Sequence, residues 1–285
     1  MSDRRIGVDL RGTDFLVVAA RTESGRTVVE SLNRSTAPPG NDLELAGHTG
    51  VTLAVPDSRV LAKTIRLQID DPTSEQDRLR FELAQSLLEG EDSFHFDFVA
   101  TGRAGYHLGL AFRREHLAEI AHNHGFGTAF REGRLSFQSR AVALGRGYLT
   151  FGIGGDGDLV TLVDLDDDSA SICFVYKRHI VGVASLALAG HDLAAENGRQ
   201  RFAIDLKTVL NYRQATLLNT GISVPPAGLI LCGDLVDDAL QRTLHAYFPA
   251  GVTRPRLHEG FFSAVDNTAR EALPLYLTAL GLTVN

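Results

Sequence analysis

Three short runs in this chain carry residue types suited to a phosphorylated ligand. In Ile6-Gly7-Val8-Asp9-Leu10-Arg11-Gly12-Thr13 an apolar strand ends in Asp9, turns tightly at Gly12-Thr13 and continues as the strand Phe15-Leu16-Val17-Val18. A phosphate-binding hairpin begins this way, because glycine lets backbone N–H groups approach an anion with no Cβ between them. A weaker copy follows at Leu159-Val160-Thr161-Leu162-Val163-Asp164-Leu165, with the polar turn Asp166 to Ser169 and then Ile172-Cys173-Phe174-Val175. The third run, Gly228-Leu229-Ile230-Leu231-Cys232-Gly233-Asp234, is a buried strand ending in a glycine turn ahead of a helix, a common ligand-facing junction.

Two other patterns invite chemistry and are set aside. Gly152-Ile153-Gly154-Gly155-Asp156-Gly157 matches the dinucleotide pattern literally, but its glycines lead into the strand Leu159 to Leu165 and not into a helix, so it reads as a hinge or loop. His122-Asn123-His124 places two imidazoles on different faces of a helix end, with no carboxylate or thiol at ligand spacing, and no metal site is assigned. Cys173 and Cys232, the only two cysteines, each lie in an apolar segment and read as buried small hydrophobes.

The elements that must position these runs are regular. Residues 6 to 32 read as a three-strand meander, and Val51 to Val55 and Val60 to Leu67 as two more strands around the turn Pro56-Asp57-Ser58. A helix starts at Asp71 to Glu75, with Thr73 as cap and Leu79, Leu83, Ala84, Leu87 and Leu88 as one apolar stripe. Strands at Phe94 to Phe98 and Tyr106 to Phe112 precede a helix from Arg113 to His122. Further on, a strand at Ile180 to Leu186 leads to a helix through Asn197, a longer helix over Phe202 to Leu218, another over Leu235 to Tyr247, and a last one over Ala264 to Leu280.

The 285 residues exceed one average domain, and 22% charged with 44% apolar residues is ordinary for a chain folded throughout. A net charge of −7, with basic residues scattered singly or in pairs, excludes nucleic acid as a direct partner. No apolar run approaches the roughly 18 residues that span a bilayer, so a soluble cytoplasmic protein without direct membrane insertion is expected.

The order of the three turns, at 9 to 14, 164 to 169 and 233 to 238, resembles the first phosphate, second phosphate and adenosine motifs of actin-like ATPases. The β-β-α-β-β-α succession after the first meander is similar to the extra subdomain of the FtsA/PilM branch. The closest matches to the PilM-like type IV pilus assembly proteins are Val51 to Ser58 with Lys63 to Leu67, Ser139 to Arg146, the helix around Leu210-Asn211-Tyr212, and Ala279-Leu280-Gly281-Leu282. The resemblance implies an α/β, actin-like (duplicated ribonuclease H-like) two-lobed fold with an inserted β-β-α-β-β-α subdomain and a reduced second lobe. It divides the chain into the first part of lobe 1 (1–45), the insert (46–135), a connector completing lobe 1 (136–158), lobe 2 (159–263) and a C-terminal helix returning to lobe 1 (264–285).

On that resemblance Asp9, Arg11, Gly12, Thr13, Asp164, Asp166, Ser169, Gly233 and Asp234 form a vestigial nucleotide site, with no catalytic residue assigned. The loops are eroded: Arg11 and Leu16 stand where the family's glycine and lysine belong. Asp166, Asp167 and Asp168 stand where glycine, serine and threonine are expected, and Cys232-Gly233-Asp234 replaces a double glycine. Three carboxylates facing a triphosphate repel it unless magnesium bridges them, and the cleft is expected to be shallow and wet. The resemblance therefore implies a non-catalytic cytoplasmic scaffold of a type IV pilus or related secretion machine, peripheral to the inner membrane. Its partners would be the N-terminal tail of an inner-membrane PilN-like protein, in a groove between residues 6 to 45 and 46 to 135, and other pilus or secretion components. No cofactor is expected on this reading. The other reading is an active ATP-binding or ATP-hydrolysing assembly protein that retains ATP and Mg at the same loops.

Overall fold

In the computed structural model, residues 3–23, 26–39, 50–67, 75–154, 159–222, 226–266 and 270–284 are described. The expected meander forms from β1 (Asp3–Arg11), β2 (Asp14–Glu23) and β3 (Arg26–Ser35). In β2, six successive residues from Phe15 to Ala20 are buried, as in a strand covered on both faces. Two parallel strands, β4 (Gly50–Val55) and β8 (Leu135–Ser139), complete a sheet of order β3-β2-β1-β4-β8.

The second half repeats this plan. β9 (Leu159–Leu165), β10 (Ser169–Tyr176) and β11 (His179–Ala187) form an antiparallel meander, and β12 (Pro226–Gly233) and β13 (Val252–Thr253) add in parallel, giving the order β11-β10-β9-β12-β13. In both sheets three antiparallel strands are followed by two parallel ones, so the duplication suggested by the two Asp hairpins is present in the strand order. Asp9 and Asp164 lie near the ends of the corresponding strands β1 and β9.

A third sheet, β5-β7-β6, is built from β5 (Val60–Arg66), β6 (Phe94–Ala100) and β7 (Tyr106–Arg113). It is flanked in the chain by α1 (Glu75–Ala84), α2 (Arg114–Asn123) and the short α3 (Gly127–Arg131). The succession β-β-α-β-β-α is as expected, but its first strand, β4, hydrogen-bonds to β1 in the first sheet. Alternation of apolar residues marks a strand without naming its neighbour.

The helix α4 (Arg140–Phe151) joins the halves. Ser139 caps it by accepting from Val142 N, and Ala141 through Leu144 are fully enclosed. A Cβ on Gly145 would lie 2.6 Å from Cys173 Sγ, and one on Gly147 2.1 Å from Leu277 O in α7 (Leu277–Gly281), so these glycines set how closely α4 approaches both neighbours. One apolar cluster runs from Ile6, Val8 and Leu53 of the first sheet to Leu162, Cys173 and Cys232 of the second. Both cysteines are free and buried, as the sequence indicates.

Three helical expectations change. The helix expected through Asn197 does not form, residues 188–195 being turns and irregular backbone, and the longer helix starts earlier than expected, as α5 (Glu196–Asn219). The expected C-terminal helix over 264–280 is interrupted: Pro274 lies in a 3₁₀ turn (Leu273–Tyr276), and only α7 is regular after it. The stripe on α1 stops at Ala84, with Leu79 and Leu83 buried and Leu88 exposed beyond the helix end; its Thr73 cap lies outside the described residues, as do residues 155–158 of the glycine-rich loop. The helix expected over Leu235 to Tyr247 forms as α6 (Asp238–Tyr247), with Asp237 as its cap.

Candidate functional site

The ends of β1 and β9 meet between the two main sheets, and a side chain fills the space between them. Arg11 donates from Nε to Asp9 Oδ2 at 2.8 Å and from Nη2 to both carboxylate oxygens of Asp164, at 2.8 and 2.6 Å. Its Nη1 reaches the carbonyl of Leu165 at 3.2 Å and lies 3.8 Å from Asp234. Asp9, Arg11 and Asp164 are 0%, 3% and 1% exposed. Burial opposes the Arg11 charge, but Asp164 and Asp9 outweigh it and hold the guanidinium above its ordinary range.

A second buried guanidinium, Arg140, completes the arrangement. It donates from Nε to Asp9 Oδ1 at 2.9 Å and from Nη2 to the carbonyl of Leu10 at 2.8 Å, while Nη1 lies against Asp166 Oδ2. Asp9 is thus held by two arginines and Asp164 by Arg11 and the hydroxyl of Thr278. At the rim, Arg34 pairs with Asp14 and Asp234. Such paired, hydrogen-bonded charges are the form in which ions are tolerated out of water.

The glycine turns serve the same contact. Gly12 has φ +54, and a Cβ there would lie 2.6 Å from Asp167 Oδ2 of the opposite hairpin. Gly233 has φ +105, and its Cβ would fall 2.0 Å from the carbonyl of Leu165. Each glycine admits another part of the protein where a phosphate loop would admit an anion.

The structure therefore brings Asp9, Arg11, Asp164, Asp166 and Asp234 together, places Gly12 and Gly233 at their edge, and leaves Thr13 exposed, its hydroxyl 3.5 Å from Asp14. Ser169 closes the second turn: its N–H donates to Asp166 Oδ1 at 2.7 Å. The expectation of three carboxylates facing the cleft is corrected for Asp166 alone; Asp167 and Asp168 are exposed, and a pocket of about 400 Å³ lined by Gly12, Asp166, Asp168 and Ser169 lies at these turns. Asp166 is 7% exposed and turned inward onto its own turn and Arg140, while Arg11 occupies the space between the two aspartates. These residues do not fit a triphosphate with magnesium, because the carboxylates that would hold the ion already hold guanidinium groups.

Arg140 and Asp57 were missed by motif reading. Asp57 accepts from Ser139 Oγ at 2.5 Å and Ala141 N at 3.0 Å, pinning the start of α4; burial, against these hydrogen bonds and Arg140, pushes its pKa up to about 6. The available signal for Arg140 was a lone cation heading the small apolar run Ala141-Val142-Ala143-Leu144.

A separate groove of about 830 Å³ lies between the open edge of the first sheet and the third sheet. Residues of β8 line it from both faces of the strand, together with Leu117 and Ala118 of α2, Phe130 of α3, Arg146 of α4 and Leu282. It is distinct from the Arg11 cluster, none of whose residues line it.

No protein-family model and no curated protein matches this chain. Among solved structures it is similar to one titled a PilM-PilN type IV pilus biogenesis complex, with a TM-score of 0.71 and 15% identity, covering 98% of this chain and 97% of that one. It is also similar to a Bacteroides thetaiotaomicron protein of actin-like ATPase fold and unknown function, with a TM-score of 0.51 and 10% identity over 95% of each chain. The chain has the actin-like ATPase fold. Among the described residues no helix is long and apolar enough to cross a membrane.

Proposed function

We propose that this protein is a non-catalytic actin-like scaffold of a type IV pilus or related secretion machine, and that it holds the N-terminal tail of a PilN-like inner-membrane protein. The observation that carries the reading is the Arg11 guanidinium seated between Asp9 and Asp164, which supports a cleft held shut by the protein's own charges. A fold locked across its cleft by internal charge pairs is suited to presenting surfaces, with no bound nucleotide to open or close it. The likeness to the PilM-PilN complex over nearly the whole chain supports the kind of partner, and the 830 Å³ groove supplies a place for a short tail. Attachment through that partner would keep the protein in the cytoplasm at the inner membrane.

The test is a pull-down from membranes with the folded full-length chain, followed by competition with a synthetic peptide of the recovered protein's N-terminal tail. Release of the membrane protein by that peptide, and not by its scrambled form, is expected. Recovery of no membrane protein, or release by both peptides, would contradict the reading.

A further inference from the structure

Resting on that groove as the docking place, its lining says how a tail binds and which chemistry it carries. β8 is the last strand of the first sheet: β4 lies on one side, and no strand lies on the other among the described residues. Such an edge presents unpaired N–H and C=O groups, a template for one more strand.

The groove wraps around this edge. Thr52 pairs with Gly7 and Ser136, and Gly7 faces Ala279 and Leu282, so Ser136 and Gln138 point to the α7 side. Leu135 and Phe137 point to the opposite side, where Phe137 meets Phe130 edge-on at 5.8 Å between ring centroids. Residues of both faces nevertheless line the same groove. A cavity reached from both faces of one strand lies beside that strand, in the position of a sixth strand.

Two chemistries share the lining. Leu117, Ala118, Phe130 and Phe137 are apolar. By contrast, Gln138 is 5% exposed and its Oε1 is buried with no hydrogen-bond partner. Nearby, Arg146 is half-buried and makes no hydrogen bond or ion pair among the described residues, and Asp97, which also lines the groove, is the carboxylate that acts on its charge. A buried acceptor and a partly desolvated guanidinium, both without partners, are features that a ligand completes.

We infer that the groove takes an extended peptide as a sixth strand on β8, with a carboxylate of that peptide on Arg146 and apolar side chains against Phe130 and Phe137. Because strand side chains alternate, the acidic residue stands at an odd offset from the apolar anchors. The tail recognised is therefore apolar at alternate positions, with an Asp or Glu between them.

A phage-displayed random octapeptide library selected on the full-length chain tests this, with hydrogen exchange of the chain bound to the recovered peptides. The expected result is enrichment of one Asp or Glu at an odd offset from apolar residues, with protection of amides in residues 135–139. Arg146→Gln is expected to lose the acidic preference and weaken those peptides at least tenfold, and Arg146→Lys to keep the preference, both with the melting temperature of the native chain. Protection at 135–139 without an acidic preference, or a preference that survives Arg146→Gln, would overturn the inference and leave groove docking standing. Peptides that protect another surface, or no enriched peptide, would overturn both.

Discussion

Replacing Arg11 by methionine removes the side chain that joins the two halves of the cleft. The variant loses three hydrogen bonds to carboxylates, one to Asp9 and two to Asp164, each between 2.6 and 2.8 Å, besides the longer one to the Leu165 carbonyl. At about 1.5–3 kcal/mol per bond to a charged group, the gross loss is roughly 5–9 kcal/mol. Release from burying the guanidinium offsets part of this, and breaking one side of a buried pair typically costs about 3–5 kcal/mol net. With roughly 2–4 °C per kcal/mol for a chain of this size, the melting temperature should fall by about 6–20 °C. Asp9 keeps Arg140 and Asp164 keeps Thr278, so the remaining strain centres on Asp164, which loses its one guanidinium partner among the described residues. Arg11→Met combined with Asp164→Asn should recover a good part of the loss, since removing both partners spares the orphaned charge. Thermal and urea unfolding of the native, single and double variants measures this directly. An Arg11→Met protein melting within 2 °C of native, or a double variant less stable than the single by the full cost of Asp164→Asn alone, would refute the reasoning.

Further outcomes follow from other contacts. Gly281→Ala should destabilise by about 3 kcal/mol or more, because its Cβ would meet Ala143 O of α4 at 1.7 Å and backbone cannot yield as a side chain does; denaturant titration checks it, and a change under 1 kcal/mol contradicts the packing of α4 on α7. Asp57 has a folded pKa of about 6 against an ordinary 3.8, so the native state binds its proton more tightly than the unfolded chain. Stability relative to Asp57→Asn should therefore be highest below about pH 4 and fall as pH rises through 6, by roughly 3 kcal/mol at 1.36 kcal/mol per pKa unit; a flat or rising difference over that window refutes it. Arg140→Met should lower the melting temperature as Arg11→Met does, through Asp9 and the second turn at Asp166, and a thermally neutral change would remove Arg140 from the lock.

Local pattern carried much of the fold. Continuous apolar runs at Phe15 to Val18 and Ile172 to Val175 located the hairpins, and the Asp near the end of the preceding strand in each pointed to the repeat seen in both sheet orders. Its apolar residues marked β4 as a strand while its membership in the first sheet, set by pairing with β1 and β8, was not legible. The site was half legible. Asp9 and Asp164 stood out by position, but the target of Arg11 lies 153 residues away, and Arg140 reaches Asp9 across 131 residues. In the sequence Arg11 reads as a bulky substitution in a phosphate loop; in the fold it bridges Asp9 and Asp164. Likewise Gly12 and Gly233 keep the residue type that a phosphate loop needs while using it to admit Asp167 and Leu165.

The claim that internal arginines have replaced the nucleotide is tested most directly by thermal unfolding of the full-length chain in millimolar Mg-ATP. A ligand at 100 times its Kd adds about 2.7 kcal/mol, enough to raise the melting temperature by roughly 5–10 °C. No magnesium-dependent shift is expected for the native chain. A saturable rise with Mg-ATP that disappears in Asp9→Ala would show a working nucleotide site and contradict the account.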